Sequence, residues 1–340
     1  MTLHQVRQGG DVRSLAPGVL DLSTCVNLNG PPPAVRAYLR EANPADLLKH
    51  PFAAVDGFTT TYARHLGVEA DEITASRGIT ELLWALSRVL PASVTSRPSV
   101  DYTDIHDAFS YHRVPEGVAI DRGEQIRRLS RVAEFLVISN PCNPTGLALT
   151  REELEAIARD SSNCTLVVDE SYVDFCEEPA LYSLIGTELF NVAVLRSPTK
   201  FYGIGGVRAG GLWTRNRRFA GNVARQITKW PLSTLDVLLV EAALSDGAWA
   251  DTTRREMQLS ARTLECCVAS LPDAKVLTSP THFRFLECSP ARAVEIGERL
   301  LDQGIAVRTK RPSEGVSGIR ITAPPLRDLD RLTAALSQIQ

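Results

Sequence analysis

The sequence predicts an α/β protein with a mainly parallel sheet, because short apolar runs alternate with helical stretches between about residues 93 and 215. Three of these runs, each rich in aliphatic side chains, are predicted buried strands and comprise Phe135–Ile138, Cys164–Val168 and Leu189–Leu195. Asn143, Asp169 and Lys200 each follow one of these strands. Because parallel sheets bind ligands beyond the carboxyl ends of their strands, we expect these three side chains to converge.

The first part of the chain contains an arm and a candidate anion site. Residues 1 to 17 are polar and lack periodicity, and residues 1 to 33 as a whole are predicted to form this arm and a segment that joins a smaller domain. Three prolines end this segment before a helix begins near Ala34. The stretch Glu72–Glu81 is predicted to form a strand, a glycine turn and the start of a helix, whose free backbone amides suit a phosphate.

The middle of the chain supplies further strands and helices of the same layered kind. Ser93–Val100 and Val118–Ile120 are predicted strands, with a helical stretch after the first. Thr150 and Glu153 have the spacing of a capping box, in which the hydroxyl and the third-position carboxylate close the first turn of a helix. This helix is predicted to run through Ala158.

Two domains are predicted, a large one of residues 34 to 240 and a small α+β one of residues 241 to 340. A long amphipathic helical region, Leu235 to about Leu271, crosses the boundary between them. The elements beyond it are a strand at Phe283–Leu286, a helix at Ala291–Gln303, strands at Ile305–Arg308 and Gly318–Thr322, and a helix at Leu326–Ile339.

Composition and charge argue against several classes of partner. The net charge of −3 over 340 residues gives no electrostatic reason to expect nucleic acid or an anionic membrane. The sequence has neither the roughly 20 consecutive apolar residues of a membrane span nor the pattern of a signal peptide, so we expect a cytoplasmic protein. Seven cysteines are scattered without metal-ligand spacing, which predicts reduced, mostly buried thiols and no metal site.

The loop Ser197–Gly211 carries the residues on which the functional hypothesis depends. It places Lys200 three residues after the hydroxyl of Ser197 and eight residues before Arg208, among five glycines. A lysine amine can form a Schiff base with a phosphate-bearing carbonyl compound while the hydroxyl and the guanidinium bind its phosphate, which is the chemistry of pyridoxal phosphate (PLP). Taken alone, a lysine in a glycine-rich loop is more often a solvated surface residue, so the interpretation depends on other motifs.

Those motifs are present in a characteristic order. They are Asn143-Pro-Thr-Gly146, Asp169-Glu-Ser-Tyr172, Ser197-x-x-Lys200 and Arg208. Over nearly the whole chain this pattern resembles the fold-type I PLP enzymes of the class I/II aminotransferase group. The stretch from Leu195 to Arg208 is most similar to threonine-phosphate decarboxylases and histidinol-phosphate aminotransferases, while Arg225-Gln226 and Ala248-Trp249 are closer to the decarboxylases. The resemblance implies a fold-type I architecture, PLP as cofactor and a homodimer with shared active sites.

The resemblance also implies catalytic roles. Lys200 would carry the cofactor as a Schiff base and then act as the general base for the proton on the substrate Cα. Asp169 would keep the pyridine nitrogen of the cofactor protonated, so that the ring can accept electrons. Asn143 and Tyr172 would donate hydrogen bonds to the O3′ oxygen of the ring, although Tyr172 alone is also compatible with core packing.

Anion-binding roles follow from the same resemblance. Ser197, Arg208 and the amides of Gly78 and Ile79 would hold the cofactor phosphate. Arg320 matches the arginine that binds the substrate α-carboxylate, a task that suits a planar guanidinium fork. A lone arginine on a strand would otherwise be interpreted as a surface ion pair.

Three positions depart from the family pattern. Where an aromatic ring usually covers the cofactor this chain has Val100, so either Val100 covers the ring poorly or Tyr102 has taken that role. His50 stands where a tyrosine reaches the cofactor phosphate of the neighbouring subunit, and histidine can make that bond or be an ordinary loop residue. His282 replaces a common asparagine and is assigned, with Asn27, to substrate binding. These changes predict a substrate unlike those of the best-known relatives.

The leading hypothesis is a PLP-dependent enzyme acting on an amino acid or amino-acid phosphate, with aminotransfer as the expected reaction. Decarboxylation at Cα, or another lyase or cyclase reaction, is the alternative, because the orientation of the substrate decides which bond breaks. Arg308, Lys310 and Arg311 are either a site for a second anionic group or a solvated strand end. The retained Lys200 argues against a non-catalytic relative, and the lack of glycine-rich nucleotide motifs argues against a nucleotide-binding enzyme.

Overall fold

The computed structural model describes residues 15–48, 50–109, 121–311 and 315–339. Most of the predicted N-terminal arm, residues 1–14, and the predicted strand Val118–Ile120 lie outside these ranges. The strands are β1 (Leu20–Asp21), β2 (Ile73–Ser76), β3 (Thr95–Ser96), β4 (Phe135–Ser139), β5 (Thr165–Asp169), β6 (Val192–Arg196), β7 (Gly210–Trp213), β8 (Ala274–Leu277), β9 (Phe283–Cys288), β10 (Ile305–Ala306), β11 (Arg308–Lys310) and β12 (Gly318–Thr322). The helices are α1 (Pro33–Glu41), α2 (Ala54–Leu66), α3 (Ile79–Val89), α4 (Thr103–Ala108), α5 (Arg122–Ser130), α6 (Arg151–Asp160), α7 (Arg217–Ala224), α8 (Thr234–Leu244), α9 (Gly247–Ala269), α10 (Pro290–Asp302) and α11 (Leu329–Ser337).

Six strands form the central sheet in the order β2-β7-β6-β5-β4-β3. Strands β3 to β6 pair in parallel, whereas β7 runs against both of its neighbours. The register places Ser139 beside Asp169 and Asp169 beside Leu195, so β4, β5 and β6 end at one edge. The predicted α/β architecture with a mainly parallel sheet is confirmed.

Apolar side chains cover both faces of this sheet, which explains why its strands show no polar alternation. Leu136 and Val168 pack in one buried cluster, which also contains side chains of α6. Val137 and Val167, the neighbours that point to the opposite face, pack in a second cluster with side chains of α3. Burial of both faces fixes the direction of the strands and therefore the position of the residues that follow them.

Three local predictions in this half had different outcomes. The capping box of α6 is confirmed, because Glu153 N donates to Thr150 Oγ1 (3.3 Å) and Thr150 N donates to Glu153 Oε2 (2.7 Å). The strand predicted at Ser93–Val100 is wrong in length, since β3 has two residues. Pro98 has no N–H to give to a sheet, and the chain leaves the ladder before it. Between β5 and β6 the predicted alternation also fails, because two short 3₁₀ turns stand where a crossover helix was expected.

The single helical region predicted from Leu235 to Leu271 is wrong, because two helices, α8 and α9, occupy it. They are separated at Ser245 and Asp246, where the side chain of Asp246 accepts a hydrogen bond from Trp249 N (3.0 Å) and caps α9. An aspartate at this position satisfies a free N–H group at the start of the second helix. Within the described ranges, no helix is long and apolar enough to cross a membrane.

A second sheet, in the order β11-β12-β9-β8, is antiparallel throughout. Its core gathers side chains from three helices, with Leu264 from α9, Ile296 from α10 and Leu332 from α11. Helix α9 also packs Ala250 and Met257 into the core of the central sheet. Because this helix contributes to both cores, the division into domains 1–33, 34–240 and 241–340 stays a prediction.

The segment after β1 connects the second sheet to the Lys200 loop. Strand β1 pairs in parallel with β10. Beyond it, Ser23 O accepts a hydrogen bond from Arg320 Nη2 (2.5 Å), and Asn27 N donates to Lys200 O (2.9 Å). Residues 20 to 27 therefore hold two of the predicted functional side chains relative to each other.

Candidate active site

A cavity of about 320 Å³ opens at the edge where β4, β5 and β6 end. Five residues predicted from the sequence line it, namely Tyr102, Asn143, Tyr172, Lys200 and Arg320. They come from five separate parts of the chain, and the fold brings them together at one cavity. Two residues of the predicted cationic cluster, Arg308 and Lys310, also line the cavity.

Lys200 is placed in the cavity by the loop that follows β6. Its Nζ atom lies 4.6 Å from the centre of the Tyr172 ring and 5.7 Å from the centre of the Tyr102 ring. Burial lowers the pKa of Lys200, and the nearby Asp169 carboxylate opposes this effect in part. A lysine with a lowered pKa has a larger neutral fraction near neutral pH, and the neutral amine is the nucleophile and the base.

Asp169 ends β5, the strand next to the one that delivers Lys200, and is 2% exposed. Its Oδ1 atom accepts hydrogen bonds from Ser171 N (2.9 Å) and Ser171 Oγ (2.5 Å). Among the described residues these hydrogen bonds reach Oδ1 alone, which leaves Oδ2 for another donor. Burial raises the pKa of Asp169, while the Lys200 ammonium acts in the opposite direction.

Asn143 links Tyr172 to Arg320. Its Nδ2 atom donates to the Tyr172 hydroxyl (3.3 Å), and its Oδ1 accepts from Arg320 Nη1 (2.6 Å). Arg320 lies in the middle of β12 and is 5% exposed, and its Nε atom is buried without a hydrogen-bond partner within the described part of the chain. An arginine so placed has donor capacity left for a carboxylate that enters the cavity.

The start of α3 forms a second candidate binding site, with Gly78 and Arg208. Gly78 has a positive φ of 81° and is the N-cap of α3, and a Cβ atom there would lie 2.8 Å from Arg208 Nη2. Only glycine therefore lets the guanidinium approach the free amides of Gly78 and Ile79. Within the described ranges, Arg208 makes its hydrogen bond through the backbone N–H, which donates to Asp236 Oδ1 (3.0 Å), and not through the guanidinium. A helix N-terminus beside an arginine fits the phosphate of a cofactor.

Ser197 lies close to this site but is engaged locally. Its Oγ atom donates to Ala209 O (2.7 Å) and lies 2.8 Å from Thr199 Oγ1. The hydroxyl also accepts from Thr199 N (3.3 Å), so it shapes the loop between β6 and Lys200. Its predicted contact with a phosphate stays a prediction.

Val100 and His50, two of the unusual positions, lie outside the cavity lining. The carbonyl of Val100 accepts a hydrogen bond from Arg122 Nη1 (3.0 Å), whereas Tyr102 faces Lys200. His50 is exposed and stacks on Trp230, with 5.1 Å between ring centres. Of the two sequence alternatives for the aromatic cover, the placement therefore favours Tyr102. His50 does not line the cavity of its own chain.

His282 and Asn27, which were assigned to substrate binding, are placed behind the cavity wall. His282 is 0% exposed, its ring stacks on Phe175 with 3.6 Å between centres, and its Nε2 lies 3.1 Å from Cys25 O. Asn27 is 2% exposed and donates from Nδ2 to Phe201 O (2.8 Å). In this structure neither side chain lines the cavity, because each is turned into the interior to hold a neighbouring loop.

Several residues that line the cavity were missed by the sequence analysis. They are Thr24, Cys25, Val26, Thr103, Asp104 and Asp107. The position of the first three depends on the pairing of β1 with β10, which no local sequence pattern predicts. The last three lie on α4, directly after Tyr102, so their closeness in sequence to a candidate residue could have predicted them. In the part of the chain that the structure describes, no group of His, Cys, Asp and Glu side chains is placed to hold a metal ion.

The family model for aminotransferase class I and II matches residues 17–339. The match covers nearly the whole chain, so this protein belongs to that family, whose members are PLP-dependent enzymes. The Lys200 loop, Asp169 and the Gly78 turn are the parts of the site that fit such a cofactor. The resemblance stated from the motifs is confirmed.

The relatives described next have one of two activities, decarboxylation or aminotransfer. The threonine-phosphate decarboxylase of Salmonella typhimurium is 27% identical, with 100% of this chain and 98% of that protein covered. Histidinol-phosphate aminotransferase 1 of Bordetella parapertussis is also 27% identical, with 95% of this chain and 93% of that protein covered. The crystal structure of histidinol-phosphate aminotransferase from Sinorhizobium meliloti, in complex with pyridoxal-5'-phosphate, has a TM-score of 0.82 at 24% identity and covers 93% of this chain and 89% of that chain.

Proposed function

We propose that this chain is a PLP-dependent aminotransferase acting on an amino acid that carries a second anionic group, as an amino-acid phosphate does. The observation that carries the proposal is one cavity that holds a buried lysine, Lys200, together with the cationic side chains of Arg308, Lys310 and Arg320. The lysine supplies the covalent and proton-transfer chemistry, and the three cations supply sites for two anionic groups.

The residues that would hold PLP are those that fit it by donor type. Asp169 offers Oδ2 to the pyridine nitrogen, and Asn143 and Tyr172 offer donors to the phenolic oxygen of the ring. The Gly78 turn and Arg208 would hold the phosphate. When bound, PLP supplies an electron-withdrawing ring that accepts the electron pair of the bond that breaks at the substrate Cα.

The proton that leaves the substrate Cα needs a base in the same cavity, and Lys200 is that base. Its lowered pKa keeps a larger share of the amine neutral, so Nζ can take up the proton and return it at a different atom. Burial raises the pKa of Tyr172, so its hydroxyl stays protonated and can donate a hydrogen bond beside Lys200.

The substrate is oriented by cations on the second sheet. Arg320 on β12 is assigned to the α-carboxylate, which can bind its free donor positions. Arg308 on β11 lies directly opposite Arg320 in the antiparallel register, and Lys310 is 5% exposed and lines the same cavity. A substrate held at its carboxylate by Arg320 would therefore present a distal phosphate to Arg308 and Lys310.

Decarboxylation is the second candidate, because the full-length relative from Salmonella typhimurium is a threonine-phosphate decarboxylase. Both reactions use the same lysine, ring partner and carboxylate site. The bond that breaks is the one that stands perpendicular to the cofactor ring, and the hold of Arg320 on the carboxylate sets that orientation. The chemistry of the product therefore distinguishes the two candidates.

A homodimer is also proposed, from the exposed aromatic group of Phe52 and Trp230, whose ring centres lie 5.7 Å apart, and from the exposed Leu48. These side chains are 73%, 44% and 85% exposed, in that order, and His50 stacks on Trp230. A large exposed apolar patch marks a protein interface, and a second copy of this chain is the occupant expected from the resemblance. A cytoplasmic location stays a prediction.

The test begins with an absorbance scan of the protein incubated with PLP. We expect a band at roughly 410 to 430 nm, and borohydride should then attach the cofactor irreversibly to the peptide that contains Lys200. The Lys200→Ala variant should show neither, whereas Lys275→Ala, which removes an exposed lysine on β8, should behave like the wild type. A wild-type protein without labelling would refute PLP binding.

The second stage identifies the reaction. A panel of amino acids and amino-acid phosphates is assayed with an α-keto acid acceptor, and both keto-acid product and released CO2 are measured. Keto acid without CO2 supports the aminotransferase, and CO2 without an acceptor requirement supports the decarboxylase. Equal rates with phosphorylated and unphosphorylated substrates would contradict the second anion site.

A further inference from the structure

Tyr102 is held in the cavity at two points by the aspartates that flank it. Its backbone N–H donates to Asp101 Oδ1 at 2.7 Å, and its hydroxyl donates to Asp104 Oδ2 at 2.9 Å. The ring faces Lys200, whose Nζ lies 5.7 Å from its centre. A tyrosine fixed at both its backbone and its hydroxyl has lost most of its rotamer freedom before a ligand binds.

Asp101 is itself fixed from several sides, and its side chain is 0% exposed. Arg122 Nη2 donates to Asp101 Oδ2 (3.0 Å), while Arg122 Nη1 donates to the carbonyl of Val100 (3.0 Å). Ser139 donates to the same carboxylate from its backbone N–H, at 3.2 Å, and from its hydroxyl. These bonds fix the backbone on both sides of Asp101, so the position of Tyr102 does not depend on α4 alone.

The same carboxylate also reaches the opposite wall of the cavity. The hydroxyl of Ser139 uses its hydrogen for Asp101 and accepts a hydrogen bond from Asn143 N (3.1 Å). Asn143 in turn contacts Tyr172 and Arg320. Asp101 therefore sets the spacing between the Tyr102 wall and the Asn143 wall through one intermediate residue.

Asp104 fixes the hydroxyl end of Tyr102 to the start of α3. Thr80 Oγ1 donates to Asp104 Oδ2 at 2.8 Å, and Thr80 is two residues from Gly78 in the candidate phosphate site. Burial and the adjacent Asp104 carboxylate raise the pKa of Tyr102. The phenol keeps its proton over the working pH range, so the hydrogen bond runs from Tyr102 to Asp104.

We propose that Asp101 and Asp104 are positioning residues that hold Tyr102 over the cofactor, in place of the aromatic residue absent at Val100. This inference rests on the proposed function, because it concerns the same cavity and the same cofactor. Val100 is aliphatic, its carbonyl is bound by Arg122, and it lies outside the cavity lining. Tyr102 lies inside the lining, and we call its two hydrogen bonds to Asp101 and Asp104 the clamp. The clamp compensates for the change at position 100 by fixing a ring two residues later.

The ring contact is tested first, by the dissociation constant of PLP measured through tryptophan fluorescence quenching. Tyr102→Ala should weaken PLP binding roughly 30- to 100-fold, because a buried aromatic contact is lost. Val100→Ala, the matched control at the position where the family has its ring, should change it less than about 3-fold. A larger effect of Val100→Ala than of Tyr102→Ala would overturn the assignment of the ring.

The clamp is tested by a double-mutant cycle between Tyr102→Phe and Asp104→Ala. Each variant should weaken PLP binding roughly 5- to 20-fold, and the double variant should be no weaker than the poorer single one, because both remove one hydrogen bond. Asp104→Asn keeps an acceptor oxygen and should restore affinity to within about 3-fold of the wild type. Tyr62→Phe, which removes a buried hydroxyl without a partner among the described residues, is the control and should leave PLP binding unchanged.

Two results would overturn the clamp, namely additive effects in the double variant or an Asp104→Asn variant as weak as Asp104→Ala. The same cycle is measured on the unfolding of the protein without PLP, where the wild-type pair should also show coupling. If the wild type fails to bind PLP, the proposed function is refuted, and the cofactor-free cycle still decides whether the clamp exists. If the wild type binds PLP and neither cycle shows coupling, the clamp alone is refuted.

Discussion

Lys200 and Asp169 are two ionisable residues held where burial opposes the charged form of each. Burial lowers the pKa of Lys200 and raises the pKa of Asp169, and each partly counteracts the shift of the other. A buried charge without full pairing costs stability, so neither residue is explained by folding alone. Their placement fits the proposed roles of the Lys200 amine and of Asp169 as partner of the cofactor ring.

Asp169→Asn should increase the stability of the cofactor-free protein at neutral pH and abolish activity. The folded pKa of Asp169 is raised above its unfolded value, so the native state binds more protons between the two values. Stability of the wild type that comes from this group is present below the ordinary carboxyl pKa and is lost as pH rises through the raised pKa. Asp169→Asn has no carboxyl to ionise, so its free energy of unfolding should not fall in this way. An asparagine can still accept the Ser171 bonds through Oδ1.

The measurement is urea unfolding of the cofactor-free protein between pH 4 and pH 8, in roughly half-unit steps. The difference in unfolding free energy, variant minus wild type, should increase with pH across this range. Glu256→Gln, which neutralises an exposed carboxylate on α9, is the control for the loss of one negative charge. A flat difference for Asp169→Asn would show that burial of its charge costs nothing.

Arg308→Ala should raise the KM for a phosphate-bearing substrate roughly 10- to 100-fold, because one charge-assisted contact to the phosphate is lost. Its effect on an unphosphorylated analogue should be small, since the proposed carboxylate site at Arg320 is unchanged. Arg311→Ala is the matched control, because Arg311 belongs to the same cationic stretch but lies outside the cavity lining. Equal effects of the two variants on KM would mean that Arg308 acts through overall charge.

Part of the site could be predicted at the level of residues, for a physical reason. Asp169 ends the buried strand β5, and Asn143 and Lys200 lie in the loops after β4 and β6, so the parallel sheet brings all three to one edge. His282 directly precedes strand β9, yet its ring turns inward against Phe175. The direction of a side chain at a strand end depends on packing from distant elements, which local sequence does not contain.

At the level of elements, the break between α8 and α9 depends on one cap. Asp246→Ala should lower the free energy of unfolding by about 1 kcal/mol, because the N–H of Trp249 loses its acceptor. Asp246→Ser keeps a capping oxygen and should lose only a few tenths of that amount. Urea unfolding at pH 7 measures both variants, and an equal loss in both would show that the cap contributes little.

Elements were predictable where the signal is local. The capping box at Thr150 needed only two residues three positions apart, and the start of α6 was predicted correctly. The break at Asp246 was missed because apolar residues continue on both sides of it, although the aspartate followed by Gly247 was a visible cap signal. The absence of an α-helix between β5 and β6 depends on how neighbouring strands fit and has no local signature.

At the level of the whole molecule, the site depends on contacts between parts of the chain that are far apart in sequence. Arg320 reaches Asn143 across 177 positions, and His282 reaches Cys25 across 257. Such pairings follow from the packing of the second sheet on the end of the first, and no periodicity predicts them. The motif pattern identified the family and hence the fold, which is why the architecture was predicted although these contacts were not.

The proposed homodimer gives a prediction about shared active sites. If His50 serves the cavity of the other subunit, His50→Ala and Lys200→Ala fall in the same site of a mixed dimer and leave its other site intact. Each variant alone should be nearly inactive, whereas unfolding and refolding them together in equal amounts should restore about a quarter of wild-type activity. That fraction follows because half of the dimers are mixed and each mixed dimer has one intact site. Activity in the mixture equal to the mean of the two variants would show that His50 and Lys200 do not act in the same shared site, and that His50 instead supports its own subunit through Trp230.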